Sequence, residues 1–416
     1  MDSILGFVEK YLAPGLTKFG EEKHMVGIQK GIVFTVPFTI IGSIFLIISS
    51  LPIPGWSDLI APFQAKLLVP VSITFDMLAV IAAVGIGYSL AKEYKQDPVL
   101  GALFSLIGFF ALQLTPEYSL DTSYFGAKGL FTAIIVSIYC IEVQKFFVKR
   151  NLIINLPDNV PPAVSDSFAG LLPLGFILIT LWFVRVVLNF NINSAINYLF
   201  QPLVFALNTL PGLLVFMLIR SLLWCVGIHG GAVLSPISSP IFLQFLAINT
   251  EAFLSGNPVP YATAVGMLEF FVFIGGGGAT LGLVLLMLRS KDEGFRTLGK
   301  VSLPSSIFEI NEPVVFGAPI VLNPPFMIAY TVANLVLTAS TYILMTLNII
   351  GKPVAAVPWT MPPIIGAYLV TGGDWRAAVW NAISLVLSVV IYYPFFKIVE
   401  KQRLSEVDPK EIGTKM

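Results

Sequence analysis

The sequence predicts an all-α polytopic membrane protein with about ten transmembrane helices, two re-entrant hairpins and interfacial amphipathic helices. Three observations carry that prediction. Of 416 residues, 56% are hydrophobic and only 12% are charged, where soluble domains carry about 25% charge. Mean hydropathy is +0.86. Apolar runs near the roughly 20 residues needed to cross a bilayer recur along the chain, and those of the second half are broken by glycine, proline and polar residues.

The regular runs come first, over 31–51, 69–90, 100–114, 129–148 and 167–188. Lys10, Lys18, Lys23 and Lys30 precede the first, Lys92 and Lys95 follow the second, and Lys149 and Arg150 follow the fourth. The alternate loops carry only Lys66 and Lys128. The excess of cations on one side predicts a cytoplasmic N-terminus. Ahead of the first run, Ile4, Leu5, Val8, Tyr11 and Leu12 recur at helical spacing up to Pro14-Gly15. We expect an interfacial helix there, not a cleaved leader.

Beyond 188 the character changes. Asn191, Asn193, Asn197 and Gln201 interrupt 189–208, which reads as an interfacial linker. A run over 210–226 leads into Gly227-Ile228-His229-Gly230-Gly231. The next apolar piece, 234–248, contains Pro236, Ser238, Ser239 and Pro240 and reads as a broken or re-entrant hairpin. Residues 267–288 read as a clean span whose Gly275-Gly276-Gly277-Gly278 patch serves close helix packing. The basic loop after it, with Arg289, Lys291, Arg296 and Lys300, is expected on the cytoplasmic side. A second hairpin is expected around Glu309-Ile310-Asn311-Glu312-Pro313, between Pro304 and Asn323-Pro324-Pro325. A span over 326–350, a proline-broken piece opened by 358–363, a last span over 377–396 and a cytoplasmic tail complete the chain. The domain expectation is a scaffold and dimerisation unit over 1–190, a linker over 191–210, a transport unit over 211–400 and a tail over 401–416.

Composition also excludes. A formal net charge of zero gives no case for nucleic acid. Cys140 and Cys225 both sit in apolar runs and read as small buried hydrophobes. The glycine patch lacks the Gly-Lys-Ser/Thr of a nucleotide loop, and no His, Cys and carboxylate set has metal-ligand spacing. No metal or cofactor is expected.

The chemistry is therefore sought in the polar residues of the two breaks. An ionisable side chain at membrane depth is costly and normally faces a cavity where it has a function. His229 lies among small residues that allow close approach to the backbone at Gly230. Glu312 accepts hydrogen bonds while Asn311 both donates and accepts, a pair suited to vicinal hydroxyls. The alternative for Glu312 is an internal salt bridge, for example to Arg220. Trp224 and Trp359 border the broken segments and offer flat apolar faces with one donor each. Arg220 and Glu309 read as gating or structural groups. Asp76, Glu142, Arg185 and Glu269 are assigned to pairing or snorkelling. His24 is expected to be a solvated surface residue.

Gly-Ile-His-Gly-Gly, Asn311-Glu312-Pro313-Val314-Val315-Phe316-Gly317 and Gly276-Gly277-Gly278-Ala279-Thr280-Leu281-Gly282 resemble motifs of the membrane IIC component of the phosphoenolpyruvate-dependent sugar phosphotransferase system, in its lactose, cellobiose and diacetylchitobiose branch. Gly27-Ile28-Gln29-Lys30-Gly31 and Val36-Pro37-Phe38-Thr39 also fit, and the similarity runs over essentially the whole chain. The resemblance implies a homodimer formed by first-half helices and a second half that moves across the bilayer as a body. It implies that His229 and Glu312 bind a β-linked disaccharide, with Asn311 and Trp224 beside them. A separate, cysteine-phosphorylated IIB protein would phosphorylate the sugar 6-hydroxyl at the cytoplasmic face, so no catalysis by this chain alone is expected. Glu312 is the candidate base or orienter for that hydroxyl. The competing readings are a proton-coupled secondary sugar transporter and a self-sufficient membrane transferase. The choice among disaccharides stays open.

Overall fold

The computed structural model describes residues 13–51, 53–115, 117–154, 156–157, 168–318, 320–321 and 323–407. The expected interfacial helix through Ile4 and Leu12 lies outside them. Helices make up the described chain, and the only β-type pairing among these residues is an isolated bridge between Leu114 and Leu120.

The first half contains α1 (Ala13–Gly20), α2 (Lys23–Val33), α3 (Val36–Ser49), α4 (Trp56–Ile60), α5 (Gln64–Phe75), α6 (Leu78–Glu93), α7 (Pro98–Leu112), α8 (Leu130–Lys149) and α9 (Leu171–Trp182). A π-helical turn, Phe183–Val187, ends α9. Then α10 (Ile192–Leu207) turns away from it at 90°. The second half contains α11 (Leu210–Cys225), α12 (Gly230–Leu254), α13 (Met267–Phe271), α14 (Leu281–Met287), α15 (Glu293–Ile307), α16 (Glu312–Gly317), α17 (Pro324–Thr346), α18 (Pro363–Val370) and α19 (Trp375–Val407).

Among the described residues, six stretches are long and apolar enough to cross a membrane: Lys23–Ser49, Gln64–Glu93, Ala127–Lys149, Gly230–Leu254, Pro324–Thr346 and Trp375–Ser405. A seventh is added if the bent pair around 188–191 is one span. Apolar residues such as Ile41, Ile73, Val386 and Val390 point outward, whereas Thr39, Ser43, Ser105, Thr132 and Ser137 are buried. That distribution suits a lipid-facing surface, because lipid offers hydroxyls no hydrogen-bond partners. Thr35 and Thr74 do so directly, donating to the carbonyls of Ile32 (2.7 Å) and Pro70 (2.8 Å) beside the helix breaks at 34–35 and 76–77.

Small residues set the packing of the first half. A Cβ on Gly31 would lie 2.3 Å from the Ile86 Cα, and one on Gly87 would lie 2.3 Å from the Ser105 hydroxyl. Thus α2 meets α6, and α6 meets α7, at backbone distance. Between the halves, α12 lies against α1, α2 and the 3₁₀ turn Ala127–Gly129. A hydrogen bond from Ala356 N–H to the Ser43 hydroxyl, 2.6 Å, also joins the halves.

The structure corrects three expectations. Residues 234–248 belong to a continuous helix, α12, despite Pro236 and Pro240. Pro236 cannot bond the Ala232 carbonyl four residues back, and the Ser235 hydroxyl takes over that acceptor at 3.1 Å. Conversely, 267–288 is broken between α13 and α14. Gly275, Gly276, Gly278 and even Ala279 have φ of +78°, +97°, +85° and +54°, left-handed backbone that no helix tolerates. The four glycines therefore make a loop, not a packing face. Finally, His24 is tied into the protein. Its ring nitrogens lie 2.9 Å from carboxylate oxygens of Glu22 and of Glu142 on α8, and Tyr94 sits 3.0 Å away. Glu142 is paired, as expected, and also bonds Lys145.

Adding a methyl where α2 and α6 touch leaves the backbone nowhere to go. Gly31→Ala is expected to cost about 1–3 kcal/mol, the usual penalty of overpacking, and to lower the thermal midpoint of the detergent-purified protein. Gly15→Ala, where nothing lies within 4 Å, is expected to leave that midpoint unchanged.

Candidate functional site

Helix α11 ends at Cys225, and the chain reverses through Gly227 at φ +83°. The Ile228 N–H closes the turn on the Leu223 carbonyl at 2.9 Å. His229 then caps α12: its Nδ1 accepts from the Ala232 N–H at 2.9 Å. A neutral imidazole that accepts through Nδ1 carries its proton on Nε2, so the exposed ring offers one N–H donor outward. Trp224 packs beside it, with ring centroids 4.5 Å apart. Gly230 is buried, and the space beside it is filled by Arg220: a Cβ there would lie 2.3 Å from the Arg220 carbonyl oxygen. A Cβ on Gly231 would lie 2.9 Å from the Arg220 guanidinium and 3.1 Å from the His229 ring. The glycines thus let α12 start directly against α11.

The second break is built around the glycine loop between α13 and α14. Glu309, at φ +66°, reaches across so that one carboxylate oxygen, Oε2, accepts from the N–H groups of Gly275 (2.6 Å) and Gly276 (2.9 Å). Two residues on, the Asn311 side chain donates to the Gly277 carbonyl at 2.8 Å. A Cβ on Gly276 would lie 2.4 Å from the Asn311 Cγ, so the two strips of backbone are in contact. The loop is held from its other side as well. Gly278 N–H donates to Asn334 Oδ1 at 3.2 Å, and the Asn334 amide donates to the Ser221 hydroxyl at 2.8 Å. Tyr392 donates to the Gly278 carbonyl at 2.8 Å. Glu312 follows as the first residue of α16 and is exposed. Pro313 sits in the first turn of that helix, where a missing N–H costs nothing.

These pieces converge. Arg220 lies over the Phe273 ring at 4.2 Å, joining the α11 end to the start of the glycine loop. The Arg220 guanidinium and the His229 ring both lie against Gly231. Among the described residues no ion pair joins Glu312 to Arg220. His229, Trp224, Arg220, Asn311, Glu309 and Glu312 therefore belong to one neighbourhood. Trp359 is exposed just before α18, and among the described residues no hydrogen bond or ring contact links it to the others. Glu269 instead closes the start of α13 by accepting from the Gly266 N–H at 2.8 Å. Both cysteines are free and buried. Among the described residues no group of three His, Cys, Asp or Glu side chains is arranged to hold a metal ion.

Sequence reasoning missed the parts that hold the neighbourhood together, namely the glycine loop, Phe273, Asn334 and Ser221. For the loop a signal existed, because four successive glycines inside an apolar run weaken a helix by about 1 kcal/mol each. Asn334 and Ser221 are ordinary polar residues within helices, and only their contact across the fold reveals their use.

Known proteins share this arrangement over nearly their whole length. Residues 29–334 match the family described as phosphotransferase system, EIIC. The chain is 36% identical to the putative permease IIC component YwbA of Bacillus subtilis, covering 100% of this chain and 99% of that one. It is 35% identical to the cellobiose-specific EIIC component of Geobacillus stearothermophilus, covering 98% and 96% respectively. The crystal structure of ChbC, the IIC component of an N,N'-diacetylchitobiose-specific phosphotransferase system, superposes with a TM-score of 0.92 at 36% identity, over 97% of this chain and 99% of that one. The family match, the full-length similarity and the structural match agree, and the chain belongs to the EIIC membrane-permease family of the phosphotransferase system.

Proposed function

We propose that this permease binds a β-linked disaccharide of the cellobiose or diacetylchitobiose class between the His229 and Glu312 breaks and delivers it for phosphorylation. The observation that carries the reading is that the stretch before the exposed Glu312 is bonded to the glycine loop, while Arg220, beside the exposed His229, lies over Phe273 at the start of that loop. The imidazole N–H donates to a hydroxyl, the carboxylate accepts from two, and Asn311 is suited to do either. Trp224, its ring tilted against the histidine, offers an apolar wall to a pyranose ring. The relatives named for cellobiose and diacetylchitobiose support the substrate class.

The wider reading follows the same division of the chain. Residues 1–190 form a scaffold that pairs two copies, 191–210 link it to the transport unit 211–400, and 401–416 form a tail. The transport unit, with re-entrant hairpins at its breaks among about ten crossings, slides as a body across a bacterial cell membrane while both termini stay cytoplasmic. The 90° turn into α10 and the reliance of the half-to-half contact largely on α12 support such relative movement. At the cytoplasmic face a phosphorylated IIB protein transfers its phosphoryl group to the 6-hydroxyl. The product carries charge that the hydroxyl-binding site does not match, which blocks return. Glu312 orients the 6-hydroxyl or takes its proton as the bond to phosphorus forms.

Binding and transfer separate these roles. In Glu312→Gln, phosphoryl transfer from phospho-IIB is expected to fall by about 10²–10⁴, the range of a general base. Disaccharide affinity, measured by calorimetry, is expected to fall by about 10–100-fold, as for a hydrogen bond to a charged group. Equal losses would remove the base role. His229→Asn retains a helix cap and is expected to keep the thermal midpoint while losing disaccharide affinity. His229→Ala is expected to lose affinity and, in addition, about 1 kcal/mol of stability through the missing cap. Accumulation of unphosphorylated sugar in vesicles driven by a pH gradient, without IIB, would favour proton-coupled transport instead.

A further inference from the structure

Glu309 is the most confined ionisable group of the neighbourhood. It is 7% exposed, and a φ of +66° puts it in backbone that a non-glycine residue occupies at a cost of about 1–3 kcal/mol. One oxygen accepts both glycine N–H groups, while the other, Oε1, is buried without a partner. Leaving a buried carboxylate oxygen unmet is expensive as well. Two such costs at one residue, with no ion pair to offset them, point to a function that position alone supplies.

We propose that Glu309 is a positioning residue for Glu312: its carboxylate clips the Gly275–Gly276 turn to the 309–312 turn and thereby sets where the Glu312 carboxylate stands. The geometry leaves little else for it to do. Gly275 and Gly276 use left-handed backbone that points both N–H groups at one oxygen. Asn311 provides the second clip through the Gly277 carbonyl, between Glu309 and Glu312. The glycine loop is itself held by Asn334 on α17 and Tyr392 on α19, so it is a fixed reference. Only Pro313 and the first turn of α16 lie beyond the clip, and Glu312 has no hydrogen-bonded partner of its own among the described residues to fix it. The inference rests on the proposed sugar-binding role of Glu312 for its consequence in binding, but not for its geometry.

The test therefore has two arms, both on the full chain purified in detergent. In the first, Glu312→Cys reports position through its rate of labelling by a maleimide, with the buried Cys140 and Cys225 as slow background. Adding Glu309→Ala is expected to change that rate by about 10-fold or more, the scale of losing two hydrogen bonds at one oxygen. Adding Glu309→Gln, whose amide oxygen still accepts from both glycines, is expected to leave it within about 2-fold. Should Glu309→Ala fail to fold, Glu309→Asp pulls the carboxylate back by one methylene and is expected to shift the rate in the same direction. In the second arm, cellobiose and diacetylchitobiose are titrated into the wild type, Glu309→Ala, Glu312→Gln and the double variant. Glu309→Ala is expected to weaken binding about 10–100-fold alone, yet by less than about 3-fold when Glu312 is already glutamine, the signature of one residue acting through another. Additive losses, an unchanged labelling rate, or a Glu309→Gln as impaired as Glu309→Ala would each overturn the proposal. If the wild type binds neither sugar, the sugar reading fails while the labelling arm still decides the positioning role.

Discussion

Backbone that leaves the helix inside an apolar protein must find hydrogen-bond partners within the protein itself, because lipid supplies none. Here that demand concentrates on one contact, the Glu309 carboxylate accepting from Gly275 and Gly276. It joins two breaks lying more than thirty residues apart and lets each satisfy the other. Asn311, Asn334 and Tyr392 complete the set by bonding Gly277 and Gly278. Asn334 also holds Ser221, the residue after Arg220, so the polar contacts of the glycine loop reach the helix that leads into the His229 break. Ligand-facing groups on such a network sit on shared, rigid support, which is what a selective site requires.

Much of this was legible in the chain, for a physical reason. A helix that crosses lipid has to be apolar along its length, so any histidine, glutamate or asparagine flanked by glycine and proline stands out. That is how His229, Glu312 and Asn311 were singled out, along with Trp224 beside them. What stayed hidden depended on contacts between distant segments. Proline in 234–248 read as a break, yet the Ser235 hydroxyl repairs the helix by taking the carbonyl that Pro236 cannot bond. Glycine in 267–288 read as helix packing, although four in succession leave a backbone that Glu309 can draw into a left-handed loop. His24 read as solvated because its partners Glu142 and Tyr94 lie far along the chain. Trp359 resembled Trp224 in sequence context, but only Trp224 touches the imidazole.

The chemistry of the proposed reaction fits the division of the molecule. A disaccharide is neutral and rich in hydroxyls, so a site of one imidazole, one carboxylate and one amide holds it without needing a counter-ion. Phosphoryl transfer changes that balance at a single atom and turns a matched ligand into a mismatched one. The half-buried Arg220 stacks over its aromatic neighbour Phe273 beside the imidazole, without an ion pair to Glu312 among the described residues. The first half is packed through glycines at backbone distance, and α12, which starts at the His229 break, lies against it.

The most direct test of the account is a structure of the full-length permease with cellobiose or diacetylchitobiose bound. The account predicts sugar hydroxyls within hydrogen-bond distance of both His229 Nε2 and the Glu312 carboxylate, with one pyranose ring against Trp224. A sugar held elsewhere, for example in the cavity of about 730 Å³ between Asp76 and Glu251, with His229 and Glu312 untouched, would contradict it.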